Sequence, residues 1–449
     1  MNPIPSKPDR DFAYAKLRSE VRAVRRDIRA LWTLFIGLTV WLFALSCMAA
    51  PPEYVLEDAQ RFKAAPYYLS FVGTDPERRA DLEAAVLLAV SSLTRVISLD
   101  SVLPVPVGPD YWRLDIERLG WSELPAILQE SYPYGGLEEP YCIRADWFVT
   151  LLDQSSEIDA YFRLLLGQQI TNIQQFFDAF GIVAKSPDSL GWIEERSRVA
   201  HSGIRLIQNR PTTGRETVWT TYDSERIDRD HDPLEHLLGG FQYEASEHIA
   251  LMPKQYRGFV GHLQAYALSN AAGDIQSEAP AAIVADFNQV RGVPIRNAIS
   301  CVVCHAQGLQ PLSESGLRAY VESGAEVYVD PHRQPDVERL YLSDLQRMIS
   351  RSNEDFNLLV SQITGMETAV AVGEAVQRVI TAYDAPVSIE VATREIGVTS
   401  ELINSALQTF NESARASILP SRPIPRAAFE DLYPELTNAC FHLVTDSHD

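Results

Sequence analysis

Twenty consecutive residues, Leu31 to Ala50, carry no charge, and a strongly basic stretch stands directly before them. A helix of that length matches the ~30 Å hydrocarbon core of a bilayer. Residues 1–30 hold eight Lys/Arg (Lys7, Arg10, Lys16, Arg18, Arg22, Arg25, Arg26, Arg29) against four acids. Positive charge before an apolar segment, and none after it, places the leading end in the cytoplasm. The expectation is a basic cytoplasmic leader over 1–30 and a single N-terminal transmembrane helix over 31–50. That helix acts as a signal-anchor and holds the body on the periplasmic side of the cell inner membrane. A signal peptide cleaved near Cys47-Met48-Ala49-Ala50 is the alternative, although the leader is long for one. Lipidation of Cys47 is a third, and Ala44-Leu45-Ser46 fits a lipoprotein box poorly. A buried helix of a globular domain would show a polar face, and this run has none. All three export readings put the rest of the chain outside the cytoplasm.

Export decides how the five cysteines are read. Cys142 and Cys440 stand far apart in a chain bound for a compartment where disulfides persist, so they are either a bridged pair or two buried thiols. Cys301-Val302-Val303-Cys304-His305 is different. It is C-x-x-C-H, the attachment signature for a c-type haem. Cysteines three apart lie on one face of a helical turn, so both sulfurs can reach the vinyl groups along one porphyrin edge. The next residue, His305, is carried round to the haem face as axial iron ligand. Its second-shell hydrogen bond and the burial of the haem then set the potential.

Other chemistries share part of this spacing. A thioredoxin-like pair sits at a strand–helix junction and gives the histidine no task. Half a zinc site needs two further Cys or His close by, and the next histidine is His332. A structural disulfide at this spacing closes a strained loop. Arg291 and Arg296 precede the cysteines and could neutralise a haem propionate, or remain solvated. For the sixth iron position, Met366 stands beside Gly365 at a break between helices and is the preferred candidate. Met348 reads as helix packing. His248, His262 and His332 are bis-histidine alternatives, and an open position competes with all of them.

The order of patterns suggests two parts after the membrane segment. Asp75–Val96, Trp147–Leu166 and Thr171–Phe180 have helical spacing, and residues 101–120 alternate like short strands. Alternation resumes at Thr217–Tyr222, Glu247–Met252 and His262–Leu268, with a Pro/Gly-bearing turn over Pro253–Gly261. Beyond residue 286 everything looks helical: Ser313–Ser323, Pro335–Ser361, Glu367–Ala382 and Ile389–Phe410. The expected fold class is thus an α+β upstream domain (51–285) followed by an all-α cytochrome c-like haem domain (286–435), with a C-terminal tail over 436–449. Glu390–Val398 and the helix after it look like a helix-turn-helix, but a formal charge of −21 and export argue against nucleic acid as a partner. Asp230-His231-Asp232 reads as a solvated loop rather than a metal cluster.

Several segments resemble secreted mono-haem c-type cytochrome-domain proteins of bacteria such as planctomycetes. They are Asp110–Trp121, Arg144–Val149, Ser202-Gly203 with Asn209-Arg210, Ala279-Pro280 with Ile283–Asp286, and Arg296–His305. The resemblance covers most of residues 100–310. It implies haem c and electron transfer, and it supplies no substrate. Where the family pattern has a methionine four residues after the haem histidine, this chain has Leu309. The functional expectation is a membrane-tethered periplasmic cytochrome that carries one covalent haem c and exchanges single electrons with a redox partner protein. The runner-up is a peroxidase-like haem oxidoreductase, or a haem sensor, with an open sixth iron position. The large domain before the motif favours it, since a simple electron shuttle needs no such domain.

Overall fold

A computed structural model of the chain describes residues 51–446, apart from 64–66, 136–137, 154–158, 183–189, 195–204, 214–215, 225, 227, 235, 238, 282–294, 313–331, 333, 342–343 and 411–421. Leu31–Ala50, the expected transmembrane helix, lies outside the described residues. Among the described residues no helix is long and apolar enough to cross a membrane. The described chain forms two compact units, one over Glu53–Ala385 and one whose described part is 51–52 with 386–446.

The larger unit holds two sheets. The first has strands β1 (Tyr67–Ser70), β2 (Val105–Val107), β3 (Tyr111–Leu114) and β4 (Tyr141–Arg144), in the order β2-β3-β1-β4 with β1 and β4 parallel. The second is a six-stranded antiparallel meander of β5 (Leu190–Glu194), β6 (Arg205–Pro211), β7 (Thr217–Asp223), β8 (Ala245–Tyr256), β9 (Phe259–Asn270) and β10 (Ile275–Gln276). Neither β5 nor β6 shows in the sequence patterns. The turn expected over Pro253–Gly261 shrinks to Arg257-Gly258, both at positive φ, the backbone that a two-residue hairpin demands. Pro253 does not end β8, because β7 stops pairing at Leu251. Its missing N–H therefore falls on an unpaired strand edge, where proline is tolerated.

Five helices position the motif: α1 (Arg79–Ser92), α2 (Ala145–Thr150), α3 (Ile299–Cys304), α4 (Leu345–Thr364) and α5 (Ala369–Asp384). Nine residues of α1 are buried, from Leu82 round through Ala85, Val86 and Ala89 to Ser92. Beyond its charged first turn the helix is apolar on nearly every side, which places that part inside a core rather than on its surface. Its small residues let α2, α4, α5 and β9 approach closely. Asp81 on α1 takes a two-bond salt bridge from Arg378 on α5, at 2.6 and 2.9 Å. Tyr134 and Tyr383 share a buried hydroxyl contact of 2.9 Å.

These contacts correct the expected fold class. The described residues form a mixed α/β fold, and among them α4 and α5 belong to the same unit as the two sheets rather than to a separate all-α cytochrome c-like domain. Within the larger unit, α4 packs on α1 and on the meander, and α5 packs on α1. At Gly261 of β9 a Cβ would stand 2.7 Å from the Asp355 carbonyl of α4. The physical reason is the composition of α1, whose nine buried residues need partners on more sides than the strands alone provide.

The smaller unit contains α6 (Ile389–Ile396), α7 (Ser400–Leu407) and α8 (Arg426–Asp446). Ser388 and Thr399 cap the first two, and Gly397 at φ 76° turns the chain between them. Arg426 closes a buried, two-bond pair with Glu395 at 2.7 and 2.9 Å. The expected tail over 436–449 falls largely within α8.

Candidate functional site

The entry to the motif is strained. Ala298 has φ 62° and ψ −60°, and the Ile299 N–H donates to the Asn297 carbonyl at 2.8 Å. That is a γ-turn with positive φ, a rare conformation for a residue bearing a Cβ. The surroundings hold it. Asn297 is fully buried, its N–H donates to the Ser277 carbonyl at 2.8 Å, and its side-chain amide reaches the Tyr266 carbonyl. The Arg296 N–H donates to Ser300 Oγ at 3.0 Å. Arg296 itself pairs with Asp153 and Glu278, so its guanidinium already has carboxylate partners. Arg291 lies outside the described residues.

From this turn α3 carries Cys301 and Cys304 on one face and ends at His305, whose N–H donates to the Cys301 carbonyl at 2.7 Å. Cys301 is buried, Cys304 is partly exposed, and His305 is 7% exposed. The imidazole is oriented at both nitrogens. Nδ1 donates to the Gly308 carbonyl at 3.1 Å, since a carbonyl can only accept. Nε2 faces Glu247 Oε1 on β8 at 3.4 Å. Gly308 is at φ 101°, and a Cβ there would meet Asn353 Oδ1 at 2.2 Å. Asn353 of α4 clamps the following residue by two bonds, accepting from the Leu309 N–H (2.8 Å) and donating to its carbonyl (2.7 Å). Behind the motif, Gly373 of α5 lets Ala306 come so close that a Cβ would sit 2.4 Å from the alanine methyl. A cavity of about 20 Å³, room for about one water, lies between Val302, Ala306, Tyr266, Gln264 and Phe356.

Comparisons of the chain with protein-family models, curated proteins and solved structures find no match. The site is therefore judged on its own chemistry.

Glu247 sits in the middle of the sheet, opposite Thr221 of β7 and Leu268 of β9, and shares a face with Ile249 and Tyr266. Its side chain is 21% exposed. Burial pushes its carboxyl up. The charges of His305 and Arg205 and hydrogen bonds from His305 and Cys301 outweigh that and hold it below the usual carboxylate range. Burial, reinforced by Glu247, raises the Cys301 thiol well above its ordinary value, so it stays protonated. Arg205 is itself held by Asp223 through two bonds of 2.9 Å. The Tyr266 ring lies 6.0 Å from that of His305, and burial raises its hydroxyl well above the ordinary range.

The remaining sequence candidates stand elsewhere. Met366 follows the left-handed Gly365 that ends α4 and is partly exposed, with its N–H on Thr364 Oγ1 at 3.4 Å. Met348 and His332 are exposed. His262 contacts Ser352 Oγ through Nε2 at 3.0 Å. His248 is buried on the opposite face of the sheet and occupied at both nitrogens. Cys142 carries a free thiol on β4, pushed up to about 12 by burial, and Cys440 is buried on α8. Sequence reasoning missed Glu247, Asn353 and Gly373. Glu247 had a signal: a carboxylate in register with core-facing apolar residues along one strand.

The order of donors is the one a haem c attachment uses, while Glu247, in contact with both Cys301 and His305, fills the space in front of them. One helical turn offers two thiols, followed by an imidazole whose Nδ1 is already bonded to a backbone carbonyl. That leaves Nε2 as the ligand nitrogen. Loading requires the Glu247 carboxylate to yield the space in front of Nε2.

Proposed function

We propose that this chain carries one haem c, bound through Cys301 and Cys304 with His305 on the iron, and that it exchanges single electrons with a partner protein. The observation that carries the proposal is the motif's geometry. Cys301, Cys304 and His305 emerge from one turn of α3, and the Gly308 carbonyl accepts from Nδ1, so Nε2 is the nitrogen a metal would take. A bound haem supplies reversible one-electron chemistry at its iron. The protein's residues do the rest. Gly308 and Asn353 hold the histidine loop, and Ala306 against Gly373 locks α3 onto α5. Such a rigid shell limits reorganisation around the site, as electron transfer needs. The proposal also places the body outside the cytoplasm, where c-type haem attachment takes place, in keeping with the basic leader and the apolar run. The second reading, a haem enzyme or sensor, draws on the polar groups in front of Nε2, namely Glu247 and the Tyr266 ring.

The test is the full chain expressed in a host that attaches haem c. Covalent haem should survive a denaturing gel and disappear when Cys301 and Cys304 are both replaced by Ala. Staining that persists in the double variant would overturn the proposal. Carbon monoxide separates the two readings: a low-spin haem that ignores it indicates electron transfer, and a haem that binds it indicates catalysis or sensing.

A further inference from the structure

We propose that a single water molecule, bound in the cavity behind the motif, ties α3 to the sheet and to α1. It belongs to the fold and does not depend on haem.

Five elements meet at this point. The cavity of about 20 Å³ is walled by Ser92 of α1, Gln264 and Tyr266 of β9, Val302 of α3, Val360 of α4 and Gly373 of α5. One water needs roughly 10–15 Å³ of such space and two to four polar partners. The space therefore suits one water and excludes a larger ligand.

The polar partners are in place. Gln264 is 3% exposed. Its Oε1 accepts from the Tyr266 hydroxyl at 2.7 Å, and its Nε2 is buried with no partner among the described residues. A buried donor that gives up water and gains no bond destabilises the fold, and native structures answer such groups with ordered water. The acceptor comes from α3. The His305 N–H donates to the Cys301 carbonyl at 2.7 Å and the Ala306 N–H to the Val303 carbonyl at 3.4 Å. The Val302 carbonyl between them is passed over, as carbonyls in the last turn of a helix are. A Cβ on Gly373 would stand 4.0 Å from that oxygen, so the carbonyl lies near the cavity wall. Ser92, 6% exposed, adds a hydroxyl from the end of α1. A water here accepts from Gln264 Nε2 and donates to the Val302 carbonyl and to Ser92 Oγ. Three bonds are what a buried water typically makes. They fix the end of the helix that carries Cys301 and Cys304 to β9 and α1.

A crystal structure of the full chain should show one density peak in this cavity, within about 2.7–3.2 Å of Gln264 Nε2. Density absent from the cavity, or a peak beyond reach of Gln264, would overturn the proposal. Stability in solution gives an independent reading. Val360→Ile pushes one methylene into the space and displaces the water. With Gln264 present, the amide is then stranded, and the urea midpoint should fall by roughly 0.3 M. Gln264→Met keeps the side-chain length and removes the amide, so in that background Val360→Ile should cost clearly less. An equal fall in both backgrounds would mean overpacking alone and would overturn the bound water. A midpoint that rises in Val360→Ile with Gln264 present would mean a dry, apolar cavity and would overturn it too.

Discussion

Glu247 and His248 are consecutive residues of β8, and they face opposite worlds. His248 is enclosed. Thr220 Oγ1 lies 3.1 Å from Nδ1 and Ser269 Oγ 2.9 Å from Nε2, while the Phe177 ring packs edge-on at 5.1 Å. Burial, with Arg210 nearby, lowers its pKa to about 3, so it is a neutral core group. Glu247 meets a carbonyl-oriented imidazole and a thiol that arrive from a helix more than fifty residues later in the chain. The alternation of a strand puts the two residues on separate faces, and the faces assign the roles. On one face His248 has both ring nitrogens occupied by side chains of the neighbouring strands. The other gathers polar groups toward α3.

The enclosed face also holds Lys254, fully buried, whose ammonium donates to the Thr94 carbonyl at 2.5 Å and the Val96 carbonyl at 2.9 Å. Burial, with Arg95 nearby, depresses its pKa to about 7. In the unfolded chain the amine keeps its proton to about pH 10. Between those values the unfolded state binds more protons than the folded one, so stability rises with pH. The gain from pH 7 to pH 10 is at most about 4 kcal/mol, and the two carbonyl bonds, which favour the charged amine, reduce it. Urea midpoints of wild type minus Lys254→Met should show this rise. A flat difference would mean that the enclosed face tolerates the charge.

The next largest effect is expected at Gly373→Val, where added carbons collide with Ala306. A loss of roughly 3 kcal/mol in chemical denaturation, together with less covalent haem, would show that the helix contact supports the motif. His248→Leu should cost about 2 kcal/mol, because two buried hydroxyls lose their partner. Its haem content and spectrum should stay those of wild type. A spectral change there would erase the distinction between the two faces. The smallest effect is Ala298→Gly. Glycine accepts positive φ without the Cβ penalty, so thermal denaturation should show a gain of about 1 kcal/mol.

Some of this was legible in the chain and some was not. Asp75-Pro76 announced a helix start, and Asp75 does accept from the Glu77 N–H, although a turn of 3₁₀ helix precedes α1. The long hairpin announced itself by alternation, while its true turn lay hidden because proline was read as a breaker. Helix existence after residue 330 was legible from periodicity. Which surface those helices cover was not, since an apolar stripe names no partner. The γ-turn at Ala298 left no mark either, because alanine is the residue least expected to stand at positive φ.

What the sequence determined by itself is the local chemistry of Cys301, Cys304 and His305. Their spacing sets which groups leave one helical turn together, and no distant contact is needed for that. The tertiary structure decided what confronts them. Glu247 reaches Nε2 only because β8 lies between β7 and β9 in a fixed register, and Gly308 fixes Nδ1 only because Asn353 pins the loop. Spacing along a chain constrains neighbours within a turn or two, whereas residues nearly sixty positions apart meet through packing alone.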